Sequence, residues 1–290
     1  MDFRSIMAIV DGDDESRNVL TTALELGQRF DAVTALLQIT PPAVQGIYPV
    51  LDAAPSELVD GLISDMERSI DDRRNHLQEI YQQTVVAAGL PVVPLDQLSN
   101  TVHFAVTMES VVGHENREIA ARGRLFDLIV IGIPGNESGG VDSAALEAAL
   151  LDTARPVLIT CHYPRPVIGG HVTVAWDGSR EAAQSIRNAL PLMKHANIVE
   201  VVHVIEDGNA KTDPADVVGY LHLHGIESKA RTTSTSRGGV ADALLDAART
   251  NGHALLVMGA YGTGAVAEYM FGGVTRTVMS NADVPILVSH

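Results

Sequence analysis

Glycine placed at a strand end and again at a helix start is an arrangement that can hold an anion. Leu255-Leu256-Val257-Met258 is a short apolar run suited to a buried parallel strand. It leads into Gly259-Ala260-Tyr261-Gly262, and after nine further residues Gly272-Gly273-Val274-Thr275 opens an apolar-periodic segment through Val278 and Met279. Glycine lets the backbone approach a ligand closely, and unpaired N–H groups at a helix start point their dipoles at it. The same spacing also describes a tight turn followed by an ordinary loop. A second candidate is Asp177, directly after the apolar run Val172–Ala175. A carboxylate at a strand's carboxyl end can accept a hydrogen bond from a ligand amino or hydroxyl group. It can equally serve the first turn of the next helix, where the dipole favours it. Trp176 beside it can stack on a flat ligand or point into the core.

Other chemistry-bearing residues carry less. Ser138-Gly-Gly-Val-Asp142-Ser143 spells the pyrophosphate loop of ATP pyrophosphatases. In those enzymes the loop directly follows the first strand, whereas here it follows a late one, so it reads as a glycine-rich turn capping the next helix. His222 and His224 stand two apart near a helix end and face different ways, and no Cys or His/carboxylate spacing suits zinc. No Gly-x-Ser-x-Gly elbow is present. Arg237-Gly-Gly reads as a turn, and the single cysteine, Cys161, as a small core residue.

Alternating strands and helices must position these groups. Strands are expected at Ile6–Val10, Val33–Ile39, Val92–Val93 with Val102–Val106, Leu128–Ile133 and Pro156–Thr160. Helices are expected at Glu15–Phe30, Ser56–Ala88, Val111–Arg122 and Ala144–Leu151. The charges of the long helix (Asp65, Glu67, Arg68, Asp71, Asp72, Arg73 and Arg74) read as a solvated face. His162–Gly170, with two prolines and two glycines, separates the first unit from a second. There the order restarts: strands at Val172–Ala175, Ile198–Val204, Ala230–Thr233, Leu255–Met258 and Ile286–Val288, with helices at Glu181–Met193, Pro214–His224, Val240–Arg249 and after Gly272.

The restart is an internal repeat. Ile9-Val10-Asp11-Gly12 matches Ala175-Trp176-Asp177-Gly178, Leu128–Gly132 matches Leu255–Gly259, and Arg155-Pro156 with its apolar run matches Val284-Pro285 with its own. From Asp11 to Gly132 is 121 positions against 82 from Asp177 to Gly259. The 39 extra residues fall largely between Pro41 and Ala88. Alternation of this kind implies parallel sheets with right-handed crossovers, and ligands then bind beyond the strands' carboxyl ends, where strand order reverses.

The spacing Gly-x2-Gly-x9-Gly after an apolar strand, followed by Val274-Thr275 and Val284-Pro285-Ile-Leu-Val288, resembles the universal stress protein family. The chain looks like a tandem member, with domains at 1–163 and 170–290. The resemblance implies an α/β fold: two tandem Rossmann-like (adenine nucleotide alpha hydrolase-like) domains, each a mostly parallel five-stranded sheet flanked by helices. It implies that the second domain binds ATP or another adenine nucleotide through Ala175, Asp177, Val204, Met258, Gly259, Tyr261, Gly262, Gly272, Gly273, Val274 and Thr275. Mg²⁺ would arrive with the nucleotide. Gly273 departs from the family pattern, which has Ser or Thr there, so one hydroxyl is missing. The first domain is degraded: Gly132 and Gly135 remain, but Ala145 stands nine residues on and no Gly-Ser/Thr follows. It is expected to act as a pseudo-symmetric partner, the two domains packing across their last strands as an intramolecular dimer; a homodimer of the chain would extend that arrangement.

Composition sets outer bounds. The chain has 290 residues, 46% hydrophobic and 4% aromatic, and a formal net charge of −16. That charge repels a phosphate backbone, so nucleic acid is an unfavourable partner. One cysteine allows no intrachain disulfide and fits a reducing compartment. No apolar run reaches membrane-spanning length and the start turns acidic at once, so a cytoplasmic protein is expected. No sequence feature offers a water-activating base beside the phosphates, so a regulatory role with little or no ATP hydrolysis is expected. A nucleotide-free, chaperone-like module and an ATP-cleaving enzyme using Ser138–Ser143 are the alternatives.

Overall fold

The computed structural model describes residues 2–42, 56–100, 103–133, 143–162, 170–205, 212–235, 239–249, 254–260 and 273–290. The first repeat supplies β1 (Ser5–Ile9), α1 (Ser16–Phe30), β2 (Val33–Thr40), α2 (Ser56–Tyr81), β3 (Val106–Val112), α3 (Glu115–Gly123), β4 (Leu128–Ile131), α4 (Ser143–Glu147) and β5 (Val157–Ile159). The second supplies β6 (His171–Ala175), α5 (Arg180–Met193), β7 (Ile198–Ile205), α6 (Pro214–Leu223), β8 (Lys229–Ser234), α7 (Gly239–Arg249), β9 (Ala254–Gly259), α8 (Gly273–Asn281) and β10 (Ile286–Ser289).

The strands form one ten-stranded sheet in the order β3-β2-β1-β4-β5-β10-β9-β6-β7-β8. Every neighbouring pair is parallel except β5 with β10, which run antiparallel through Ile159↔Ile286, Leu158↔Leu287 and Val157↔Val288. The last strands of the two repeats therefore meet at the centre of the molecule. Within each repeat the order reverses beside the first strand: β1 lies between β2 and β4, and β6 between β7 and β9.

Side chains alternate between two buried layers, as the strand period requires. Ile6, Ala8, Val174, Val201, Leu255 and Val257 pack beneath α1, α2, α5 and α6. Met7, Ile9, Leu37, Ile129, Leu256, Met258 and Val288 pack beneath α3, α4, α7 and α8. Local chemistry starts the helices. The Ser179 hydroxyl accepts from the Ala182 N–H, and the Asp213 carboxylate accepts from the Ala215 N–H with Pro214 following. Cys161 is buried.

Two expectations are corrected. The strand expected over Val102–Val106 begins at Val106 and runs to Val112, and the helix expected from Val111 begins at Glu115. Thr34–Thr40 of β2 pairs along that whole length, so Val111 and Val112 are strand residues opposite Ile39 and Thr40. Polar Thr107, Glu109 and Ser110 on this edge strand hide its alternation. The long helix is α-helical to Tyr81 and continues as a π-helical turn at Gln82–Val86. Val92 joins the sheet only as an isolated bridge to Val106.

Candidate functional site

The carboxyl ends of β6, β7 and β9 converge at the second reversal of strand order, the place where an open α/β sheet leaves a crevice. Asp177 stands exposed just past β6. Its Oδ1 accepts from the Ser179 N–H at 2.9 Å, so it does serve the turn into α5. Gly178 adopts φ +81° there, a conformation glycine accepts without penalty. On the sheet face below Asp177, half-buried Ala175 and Val204 lie with Val240 of α7 around buried Val202, Leu244 and Ala247. They make a small apolar shelf beside an exposed carboxylate.

Trp176 points the other way, into the layer beneath α5 and α6. Its indole N–H donates to the Thr212 hydroxyl at 2.9 Å. Its carbonyl is bound by Nδ1 of His203, 2.8 Å away. His203 is 5% exposed and its Nε2 has no partner among the described residues. Holding the Trp176 carbonyl fixes the strand tip that carries Asp177. His203 and Ser185 are positioning residues that sequence reasoning missed. The Ser185 hydroxyl donates to the Met258 carbonyl at 2.7 Å, tying α5 to the end of β9. An isolated polar residue in an apolar segment was the only available signal.

Gly259 ends β9 against α5. A Cβ there would lie 2.6 Å from the Ala182 nitrogen and 2.7 Å from the Glu181 carbonyl carbon. Its glycine is required by close helix–strand packing. Neighbouring Glu181 is 3% exposed. Burial alone would raise its carboxyl, but the bond from Arg180 and the charges of Arg180 and His290 outweigh that and hold it below the ordinary range. α8 begins at Gly273 and, as the connection between parallel β9 and β10, starts at this same edge of the sheet. A Cβ on Gly273 would meet nothing within 4 Å.

The expected site residues thus divide. Ala175, Asp177, Val204, Gly259, Gly273 and Val274 reach one edge. The side chains of Met258 and Thr275 are buried, at 4% and 5% exposure, and the Met258 main chain is already engaged by β10 and Ser185. Tyr261, Gly262 and Gly272 lie outside the described residues, as do Gly135, Arg237 and the loop from Ser138 to Asp142.

The first repeat closes the matching place. Asp11 Oδ1 accepts from the Asp13 N–H at 2.9 Å, the counterpart of the Asp177 turn. Its Oδ2 is taken by Arg73 of α2 at 2.9 Å. Gly12, at φ +87°, lies so close to α2 that a Cβ would come 2.0 Å from the Arg73 carbonyl oxygen. The extra helix therefore sits on the first Asp-Gly turn, whereas among the described residues the nearest atom to such a Cβ on Gly178 belongs to Thr212, at 3.3 Å.

The model of the universal stress protein family matches residues 2–159 and again 170–290. This chain belongs to that family. A universal stress protein from Archaeoglobus fulgidus aligns over 98% of this chain and 95% of its own, at 17% identity and a TM-score of 0.63. Two Pseudomonas aeruginosa chains, one a functionally unknown protein, align over 99% of this chain and 93% and 92% of theirs. Both have a TM-score of 0.56, at 15% and 14% identity. At such identity the likeness concerns the fold. No curated protein matches by sequence. Among the described residues no universal stress protein helix here is long and apolar enough to cross a membrane, and no three side chains group as metal ligands.

Proposed function

We propose that the second domain binds an adenine nucleotide, ATP foremost, with little or no hydrolysis, and that occupancy serves a regulatory role in the stress response. The observation that carries this reading is the contrast between the two Asp-Gly turns. Asp177 stands exposed beside the Ala175/Val204 shelf, while Asp11 is covered by Arg73. A purine ring needs a flat apolar contact and one or two hydrogen-bonding groups, and the shelf and the carboxylate supply those types. In this reading Gly259, Tyr261, Gly262 and Gly272–Thr275 surround the phosphates with main-chain N–H groups, and Mg²⁺ arrives on the phosphates. The first domain, residues 1–163, binds nucleotide poorly or not at all and serves as a pseudo-symmetric partner.

Equilibrium binding of ATP to the full chain tests this. Gly262→Asp sets a carboxylate against the phosphates and should weaken binding at least ~10-fold, the effect of about 1.4 kcal/mol. Asp11→Ala should leave it unchanged. Unaltered affinity in Gly262→Asp would overturn the site. The missing hydroxyl at Gly273 favours one second reading, a nucleotide-free regulatory module, to which failure of the wild-type chain to bind ATP would point.

A further inference from the structure

α2 and α6 each follow the second strand of their repeat, yet the faces they turn to water are opposite in character. On α2 that face carries exposed Asp65, Arg68, Asp71 and Arg74, joined in the pairs Arg68–Asp65 and Arg74–Asp71. α6 has no such dressing: from Val217 to Ile226 the chain has no Asp, Glu, Lys or Arg. Val217 and Leu221 are buried in the core. Gly219, Tyr220 and Leu223 are spaced to share the opposite face, and all three are exposed. Leu223 is 84% exposed, and the Tyr220 ring rests on His224 with centroids 4.7 Å apart. A Cβ on Gly219 would meet nothing within 4 Å, and its φ is not positive. Glycine inside a helix is destabilising, and here neither backbone conformation nor packing within the chain requires it. What it provides is a flat place where a second helix can come close. Gly61 of α2 is open too, but Asp60 and Asp65 stand around it.

Charge selects the occupant. The chain carries −16, and two molecules of like sign approach most easily where neither is charged. A basic partner would instead be drawn to the acidic surface elsewhere. Within α6 the one acidic residue, Asp216, stands in the first turn, and His222 stands in the last with His224 just beyond it. Two such helices laid antiparallel about a two-fold axis hold their Asp216 carboxylates at opposite ends of the contact. Each then lies beside the His222–His224 turn of the other copy, and the two helix dipoles oppose. We propose that α6 is the interface of a homodimer, in which two copies of this chain cross antiparallel at Gly219 and pack Tyr220 and Leu223 across the axis. The contact uses neither the β5–β10 seam nor the nucleotide site.

A helix of 10 residues is ~15 Å long, so the contact is smaller than a standard interface and the dimer is weak, with a Kd on the order of 100 μM. Sedimentation equilibrium of the full chain at physiological salt, from about 5 μM to about 1 mM, tests this. The mass should rise from one chain towards two across that range. Leu223→Glu should keep the chain monomeric. Leu125→Glu places the same charge on a leucine of the first domain that is also 84% exposed, and should dimerise as the wild type does. Gly219→Ala favours the helix itself, yet should raise the dissociation constant about tenfold by holding the two helices apart. A chain that stays monomeric at the highest concentration leaves the face to a different protein and overturns the proposal. So does a dimer that Leu223→Glu leaves intact, one that Leu125→Glu weakens as much, or one that Gly219→Ala leaves unchanged.

Discussion

At the scale of single residues, the two Asp-Gly turns share a backbone and differ in surroundings, so one substitution should have two outcomes. Gly178→Ala meets Thr212 at 3.3 Å and suffers mainly from its positive φ, about 1–2 kcal/mol. Gly12→Ala carries the same strain and also drives a methyl onto the Arg73 main chain. It should cost about 1–3 kcal/mol more, as overpacking does, and chemical denaturation of both variants would show the gap. Equal losses would mean that α2 lifts freely from the turn. Asp13 beside it carries a pH dependence. Burial, then the charge of Asp11 and its hydrogen bond, push Asp13 from 3.8 up to about 6. The folded chain therefore binds this proton more tightly than the unfolded one. The group's contribution to stability is full below pH 3.8 and lost as pH rises through 6. Asp13→Asn keeps the acceptor for the Ser16 N–H and hydroxyl. It should raise the melting temperature at pH 7 and flatten its dependence between pH 4 and 6, read by thermal melts across that range.

At the scale of elements, α5 holds the site's geometry from behind. Its Ser185 hydroxyl reaches the Met258 carbonyl, and its first turn packs on Gly259. Met258 also pairs with β10 in the ladder, so Ser185→Ala removes one hydrogen bond without orphaning the carbonyl and should cost about 0.5–1.5 kcal/mol. Because the bond anchors the end of β9, the variant should also bind ATP more weakly, and calorimetry would separate that from folding. α5 itself was legible in the sequence as the helix expected at Glu181–Met193, and the structure adds its Ser179 cap and the buried side made by Ile186, Ala189, Leu192 and Met193. What it touches was not, because Ser185 and Met258 are 73 positions apart. The same holds for α2. Its charges were readable as a solvated face, and Arg68–Asp65 and Arg74–Asp71 are such exposed pairs. Arg73 instead reaches Asp11, a contact across 62 positions that no periodicity encodes. The edge strand β3 was misplaced for a different reason: pairing along only one side gives it a mixed polar pattern that the helical reading could absorb.

At the scale of the whole molecule, the repeat dictates a pseudo-two-fold seam. Arg155-Pro156-Val-Leu-Ile and Val284-Pro285-Ile-Leu-Val correspond position by position, and the structure pairs their central residues, Leu158 and Leu287, antiparallel. Both are fully buried, so the seam is core. Equivalent residues facing each other across an antiparallel pair are what a two-fold axis produces, and either strand can in principle take the other's place. Residues 170–290 made alone would leave the edge of β10, with Ile286, Leu287 and Val288, uncovered. An exposed apolar edge strand recruits another strand. That fragment should therefore dimerise through β10, pairing Leu287 with Leu287 of the partner copy, and sedimentation should give twice the fragment mass. Leu287→Asp in the fragment should abolish the dimer, because the pair would bury two carboxylates facing each other. A well-folded monomeric fragment would show instead that the seam depends on features peculiar to β5, and that the tandem arrangement is more than two interchangeable halves joined by a linker.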